Sequence, residues 1–370
     1  MKILIVIGTR PEAIKMAPLI LTLKKEKYFK VKVCVTAQHR GMLDGVLKLF
    51  RIKPDYDLNL MKENQSINDI ASKIVKQIDN VLKVSKPDLV LVHGDTSTTL
   101  YSALASFNRK IKIGHIEAGL RTFNFDFPWP EESNRQIVSK LSSFHFAPTQ
   151  IAKQNLIEEG IKEKSVFVTG NTVIDSLLYV SKLIDSKKAL KKDLENKFKF
   201  LKKEKKLILV TGHRRENFGK SLKNICSALK QLSQLDIEII YPVHLNPNIK
   251  IPVNKILHNI KNIKLCGPLD YLSFVYLMNK SYLIITDSGG IQEEAPTLGK
   301  PVLVTRDVTE RPEALEVGTV KLVGSKMDKI VSEATKLLND KNKYNKISFK
   351  QNPYGDGKSC IRIAKILKKL

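Results

Sequence analysis

Two stretches of this chain open in the same way, and that repetition constrains the fold more than any other feature. IVIGTRPE from Ile5 and LVTGHRREN from Leu209 each run a short apolar segment into Gly-x-Arg and then into a helical pattern. A strand that turns through glycine directly into a helix is the opening unit of a parallel α/β sheet. Its recurrence predicts an α/β protein with two Rossmann-like, doubly wound domains. Strands are expected at Ile3–Ile7, Val31–Thr36, Leu89–His93, Lys112–His115, Ser143–Ala147 and Ser165–Thr169 in the first half. The second half repeats the pattern at Leu207–Thr211, Glu238–Pro242, Ile263–Leu265, Leu283–Thr286 and Val302–Thr305. Amphipathic helices fill the intervals, among them Glu12–Lys25, Ile67–Leu82, Thr98–Phe107, Glu131–Leu141 and Ser221–Leu232.

The domains are placed at 1–170 and 171–356, with a last helix over 357–370 expected to pack back on the first. A chain of 370 residues is long enough for two such cores. The first apolar run is too short for a signal peptide or a membrane span, which predicts a cytoplasmic protein without a membrane partner. Four scattered cysteines, with no CxxC pair and no His cluster, predict neither a disulfide framework nor a metal site.

The net charge of +26 raises nucleic acid as a partner. Its distribution argues against that. Lysine is scattered, and densest at 182–206, as on a solvated helix. Of eleven arginines, six (Arg10, Arg121, Arg135, Arg214, Arg215 and Arg311) fall in short motifs, which suits anion recognition better than solubility.

In a doubly wound sheet, ligands sit outside the carboxyl ends of the strands. Arg10, Asp95, Glu117, His213, His244 and Ser288 each follow a predicted strand, so two domains set face to face would bring them to one cleft. The run LIITDSGGIQEEAPTLGKPVLVTRDVTERPEA from Leu283 is the most specific: a strand, a turn through Ser288, Gly289 and Gly290, a helix from near Ile291, then a charged loop. Adjacent glycines and a helix start favour a phosphate there, Glu293 and Glu294 suit a sugar hydroxyl, and the planar fork of Arg311 suits a phosphate. A capped turn with a surface Arg–Glu pair is the plainer alternative.

The other motifs also read two ways. Arg10 and Lys15 reach one anion at a helix start or are simply solvated. Asp95, in HGDTSTTL, is a helix cap or a catalyst. Glu117, in GHIEAGLRT, lies between an apolar strand and a Gly-bounded loop, a costly place for a carboxylate without a task. Glu131 and Arg135 share a helix face four residues apart, as an ion pair or as site residues. His213 suits acid–base work or phosphate contact, and His244 is a weaker case of the same kind. Neither half carries a convincing GxGxxG, so no dinucleotide cofactor is indicated. Acids in one domain and a phosphate cradle in the other point to chemistry on a group attached to a diphosphate.

GTRPEAIK, HGDTSTT, IEAGLRT, PEESNR, TGHRRENFG and TDSGGIQEEAP with its LGKPVLV and TERPEA continuation, in this order, resemble the non-hydrolysing UDP-N-acetylglucosamine 2-epimerases over nearly the whole chain. The resemblance implies a glycosyltransferase-B type fold, a homodimer, no added cofactor, and interconversion of UDP-N-acetylglucosamine with UDP-N-acetylmannosamine through a glycal. It implies Asp95, Glu117, Glu131 and His213 as catalytic residues. It places substrate contacts at Arg10, Lys15, Arg135, Phe274, Ser288, Gly289, Gly290, Glu294 and Arg311. In some members a second substrate molecule activates the enzyme, and Gln38, His39, Arg40 and His244 match that site, whereas Gly41 and Leu269 depart from it. Rivals are a family member acting on a more modified UDP-sugar and a glycosyltransferase of the same architecture.

Overall fold

Both alternating stretches form all-parallel sheets. The structure, a computed structural model, describes residues 1–36, 40–60, 65–126, 128–202 and 204–370; Gln38, His39 and the side chain of Arg40 lie outside that description. The first sheet contains β1 (Lys2–Ile7), β2 (Lys30–Val35), β3 (Tyr56–Asp57), β4 (Leu89–His93), β5 (Lys112–Ile116), β6 (Phe144–Ala147) and β7 (Val166–Val168), in the order β3-β2-β1-β4-β5-β6-β7. The second contains β8 (Lys206–Thr211), β9 (Ile237–Pro242), β10 (Ile263–Cys266), β11 (Leu283–Thr286), β12 (Val302–Val304) and β13 (Val320–Leu322), in the order β10-β9-β8-β11-β12-β13. Each sheet therefore grows outward in both directions from its first strand, which is the doubly wound plan.

The strands are apolar on both faces because helices cover both. Ile3 through Ile7 are buried. Leu4, Val6 and Val90 pack with Ile74, Ile78 and Leu82 from the helix Ile67–Ser85. In the second sheet Ile208, Val210 and Ile239 share a core with Leu222 and Leu229 from the helix Lys220–Leu232.

The chain divides into Met1–Ser176 with Tyr354–Leu370, and Leu177–Pro353. The first unit runs past 170 because the first turn of the helix Thr172–Ser186 is tied to it: Ser176 Oγ donates to the Ile14 carbonyl, and the Asp175 carboxylate accepts from Ser359 N at 3.2 Å and Cys360 N at 2.9 Å. Asp175 thus caps the helix Ser359–Leu367, which packs on the helix Arg10–Lys25. Several elements escape a sequence reading. β3 and β13 are too short to show a period, and the helix Pro247–Leu257 carries Pro252 within it.

Candidate active site

In the first unit the strand order reverses between β1 and β4, and the loops after those strands are held together by a carboxylate the sequence reading passed over. Glu12 is buried, and its Oε2 accepts from Gly8 N at 3.0 Å and Thr9 N at 2.7 Å. Its Oε1 accepts from Thr96 Oγ1 at 2.8 Å and Thr99 Oγ1 at 3.1 Å. Burial pushes its proton affinity above the ordinary 4.5, against the pull of these donors. The signal was present in the sequence as the Thr9-x-x-Glu12 capping box. Gly8 is required here, since a Cβ would collide with the hydroxyls of Thr36 and Thr98.

The HGDTS turn follows β4. Thr96 is the cap of the helix Ser97–Asn108, its Oγ1 accepting from Thr99 N at 3.2 Å. The Asp95 carboxylate is therefore left for another use. It pairs with Arg135 Nη2 at 2.5 Å, while its backbone carbonyl accepts from Asn134 Nδ2 at 2.7 Å. From β5, His115 Nε2 meets the Gly94 carbonyl at 2.8 Å. Full burial drives the His115 imidazole well below 6.5, so it is neutral and its Nε2–H donates.

Glu117 comes immediately after β5, with the side chain buried and φ at 63°. A non-glycine residue in the left-handed region costs on the order of 1–3 kcal/mol and persists only where its surroundings impose it. Those surroundings are cationic. Lys15 Nζ pairs with Glu117 Oε2, Arg135 Nη2 lies 3.1 Å from Oε1, and Arg135 Nη1 donates to the Glu117 carbonyl at 2.9 Å. Asn171 Nδ2 donates to Oε2 at 3.1 Å. His93 Nε2 is 3.3 Å from Oε2 but is not aligned for a hydrogen bond. Burial alone would raise the carboxyl pKa; Lys15, His93 and Arg135 reverse that and hold it well below 4.5.

The structure thus brings Lys15, Asp95, Glu117 and Arg135 together. Arg135 does more than form a helix ion pair, because it bridges two carboxylates from the turns after β4 and β5. Lys15 turns toward Glu117, while Arg10 Nη1 approaches Met42 Sδ at 3.7 Å. Glu131 is half-buried at the start of the helix Glu131–Leu141. Its buried neighbour Glu132 fastens the preceding loop, accepting from Thr122 N at 2.9 Å and Phe123 N at 3.2 Å. His93 and Asn171, both at Glu117, were not singled out by the sequence reading.

In the second unit the corresponding reversal lies between β8 and β11. The loop after β8 is pinned by Asp287, buried after β11, which accepts from His213 N at 3.0 Å, Arg214 N at 3.0 Å and Asn217 Nδ2 at 3.1 Å. His213 Nδ1 is 3.4 Å from Asp287 Oδ1, and its ring stacks on that of His244 with centroids 6.2 Å apart. Desolvation lowers the His213 pKa below 6.5, opposed by Asp287 and reinforced by Arg214 and His244.

The helix after β11 begins at Gly289, not near Ile291. A Cβ on Gly289 would lie 3.6 Å from Arg311 Nη2 and 3.8 Å from Arg214 Nη2. Two guanidiniums therefore stand over the Ser288-Gly289-Gly290 turn, beside the free N–H groups of a helix start, an arrangement suited to a phosphate. Arg311 is braced by Glu293. Glu310 sits among Arg306, Arg214 and Arg311; burial opposes its ionisation, but the guanidiniums prevail and hold it at about 2. Glu294 Oε1 accepts from the Tyr271 hydroxyl at 2.7 Å. Phe274 is half-buried, one turn further along the helix Tyr271–Lys280. Among the described residues no group of three His, Cys, Asp or Glu is placed to hold a metal ion.

Two all-parallel, doubly wound units with ionisable and anion-directed groups at their strand ends define an α/β enzyme of the glycosyltransferase-B type. The comparisons with known proteins narrow the class to a family. The sequence model of the family "UDP-N-acetylglucosamine 2-epimerase" matches residues 21–368. The UDP-N-acetylglucosamine 2-epimerase of Escherichia coli (strain K12) is 55% identical over 370 residues, covering 100% of this chain and 98% of the relative. The crystal structure of UDP-GlcNAc 2-epimerase from Neisseria meningitidis bound to UDP-GlcNAc superimposes with a TM-score of 0.95 at 52% identity, covering 100% of both chains. The enzyme from Methanocaldococcus jannaschii in complex with UDP-GlcNAc and UDP gives 0.85 at 36% identity, again over 100% of both chains. The chain belongs to the UDP-N-acetylglucosamine 2-epimerase family.

Proposed function

We propose that the protein interconverts UDP-N-acetylglucosamine and UDP-N-acetylmannosamine without hydrolysis, as a cytoplasmic homodimer supplying precursors for cell-surface polysaccharide. The carrying observation is the Glu117 centre, a buried carboxylate in a left-handed backbone, held ionised by Lys15 and Arg135 and joined to Asp95 through Arg135. The full-length likeness to relatives crystallised with UDP-GlcNAc supports the same reading. Among the described residues no helix is long and apolar enough to cross a membrane.

The chemistry explains why such groups are needed. The C2 proton of the sugar is not acidic, since no carbonyl adjoins it. Loss of UDP from C1 together with the C2 proton gives a glycal; UDP then returns to C1 while a proton is delivered to the opposite face of C2. Asp95, Glu117 and Glu131 are assigned to proton transfer and to stabilising positive charge at the ring. Asp95, whose side chain is 28% exposed against 3% for Glu117, has the environment better suited to transferring a proton. Ser288, Gly289, Gly290, Glu294, Arg311 and Phe274 are assigned to the UDP moiety, with Arg10, Lys15 and Arg135 as contacts from the first unit. His213 is assigned to assist departure and recapture of the diphosphate. His244 is assigned to the second, activating substrate molecule.

The test is to incubate the protein with UDP-N-acetylglucosamine, with no added cofactor, and resolve the products by NMR. A mixture of the two intact UDP-sugars is expected. Free N-acetylmannosamine with UDP, or unchanged substrate, would contradict the proposal.

A further inference from the structure

The amide of Asn171 is oriented without ambiguity. Its Oδ1 accepts from Val173 N at 3.2 Å, and a backbone N–H can only donate, so Nδ2 must face the other way. There it donates to Glu117 Oε2 at 3.1 Å, across 54 residues of sequence. Asn171 is itself buried, and its backbone N donates to the Tyr354 carbonyl at 2.7 Å. Gly170, immediately before it, has no room for a side chain, because a Cβ would come 2.6 Å from Ser359 Oγ and 3.4 Å from the Tyr354 carbonyl oxygen. The segment 170–176 and the returning segment from Tyr354 are thus locked together around Asn171, within the first unit.

The groups facing Glu117 differ in kind. Lys15 and Arg135 supply charge on long stems with several rotatable bonds. His93 is close but unaligned. Asn171 is uncharged, short and fixed at both ends, so among these neighbours it sets direction rather than charge. An amide in this position fixes which lone pairs of Oε2 remain for Lys15, and so where the second oxygen points.

Resting on the proposed epimerase function, we infer that Asn171 is a positioning residue for Glu117: its Nδ2–H aims the carboxylate, and its backbone registers that aim with the paired segments at 170–176 and 354–360. The reaction needs the carboxylate to meet the sugar at one face, and an error of about 1 Å in such a group costs on the order of 100-fold in rate.

The obvious alternative is that Asn171 only closes the turn into the helix Thr172–Ser186, and one pair of substitutions separates the two. Asn171→Asp keeps an oxygen for Val173 N but turns the donor into a carboxylate facing Glu117. Asn171→Ala loses both bonds. If Asn171 positions Glu117, the Asp variant loses at least as much kcat as the Ala variant, on the order of 10- to 100-fold. KM for UDP-N-acetylglucosamine changes little, and the acid limb of the kcat–pH profile moves upward in the Asp variant, because a second carboxylate raises the proton affinity of the pair. Asn171→Ser, able to accept from Val173 N but too short to reach Glu117, carries the test alone if the Asp variant does not fold; it should lose kcat as the Ala variant does. A wild-type kcat and pH profile in the Asp or Ser variant, with a deficit only in the Ala variant, would reduce Asn171 to a turn residue. A readout independent of turnover is the 13C-carboxyl titration of Glu117, assigned with Glu117→Gln. A shifted titration in the Asp variant of a protein that fails to epimerise the sugar would refute the functional reading and leave the positioning role standing. An unshifted one would refute the positioning role whatever the activity.

Discussion

Glu117 concentrates the physical tension of this protein, a charge held away from water in a backbone conformation that disfavours it. Lys15 and Arg135 make that tolerable, so their removal and its removal are not equivalent. Glu117→Gln keeps the shape but takes away the charge. We expect kcat to fall about 100- to 1,000-fold, as when a preorganised electrostatic group is lost, with UDP affinity nearly intact. Stability should fall by about 1–3 kcal/mol as Lys15 loses its charged partner and Arg135 loses Glu117 while keeping Asp95, read by urea denaturation. Near-normal turnover would show that Glu117 is structural. The histidines give a second prediction. His115 is held neutral with a folded pKa well below its unfolded 6.5, so the unfolded chain binds more protons between the two values. Its stabilisation is complete above about pH 6.5 and is lost as pH falls toward the folded value, by at most about 1.4 kcal/mol per pH unit. His145 and His213 shift in the same direction. Urea midpoints should therefore be lower at pH 5.5 than at pH 7.5, with a smaller difference in His115→Asn. A midpoint that rises toward acid would contradict this.

At the scale of elements, the loops after β1 and β4 owe their mutual position to Glu12. Its capping role was legible as Thr9-x-x-Glu12, but the bonds to Thr96 and Thr99 were not, because they cross 84 and 87 residues of sequence. Glu12→Ala would leave the Gly8 and Thr9 N–H groups and the Thr96 hydroxyl without this acceptor, while the Thr99 hydroxyl keeps the His93 carbonyl. A loss of about 2–4 kcal/mol is expected, from a lost cap and stranded donors together. Turnover should fall too, since Lys15 and Asp95 lie on the elements so joined. Unchanged thermal stability would mean that water replaces the carboxylate there. The helix Glu131–Leu141 shows how far local pattern carries: spacing places Glu131 and Arg135 on one face, and the Arg135 guanidinium also reaches Asp95 and Glu117 in the turns after β4 and β5. A helical period reports which face a residue shares, not what a long side chain reaches across a sheet end.

For the molecule as a whole, the duplicated architecture was readable because several of the longer strands are continuous apolar runs that turn out of the sheet through a glycine-bearing loop. Gly8, Gly94 and Gly289 each stand at such an exit, and the candidate residues Arg10, Asp95 and Glu117 follow strands as a doubly wound sheet requires. Two-residue β3, the helix that runs through Pro252, and the contributions of His93 and Asn171 were not readable, since nothing local distinguishes them. The proposed homodimer predicts a light-scattering mass of two chains at micromolar concentration; a monomer that is fully active would remove dimerisation from the account. The central claim, that UDP leaves C1 with the C2 proton and returns as another is delivered, is tested most directly by running the reaction in heavy water and reading C2 by NMR. Deuterium at C2 of UDP-N-acetylmannosamine, and progressively of recovered UDP-N-acetylglucosamine, is the predicted result. Epimerised product that retains the original C2 hydrogen would contradict it.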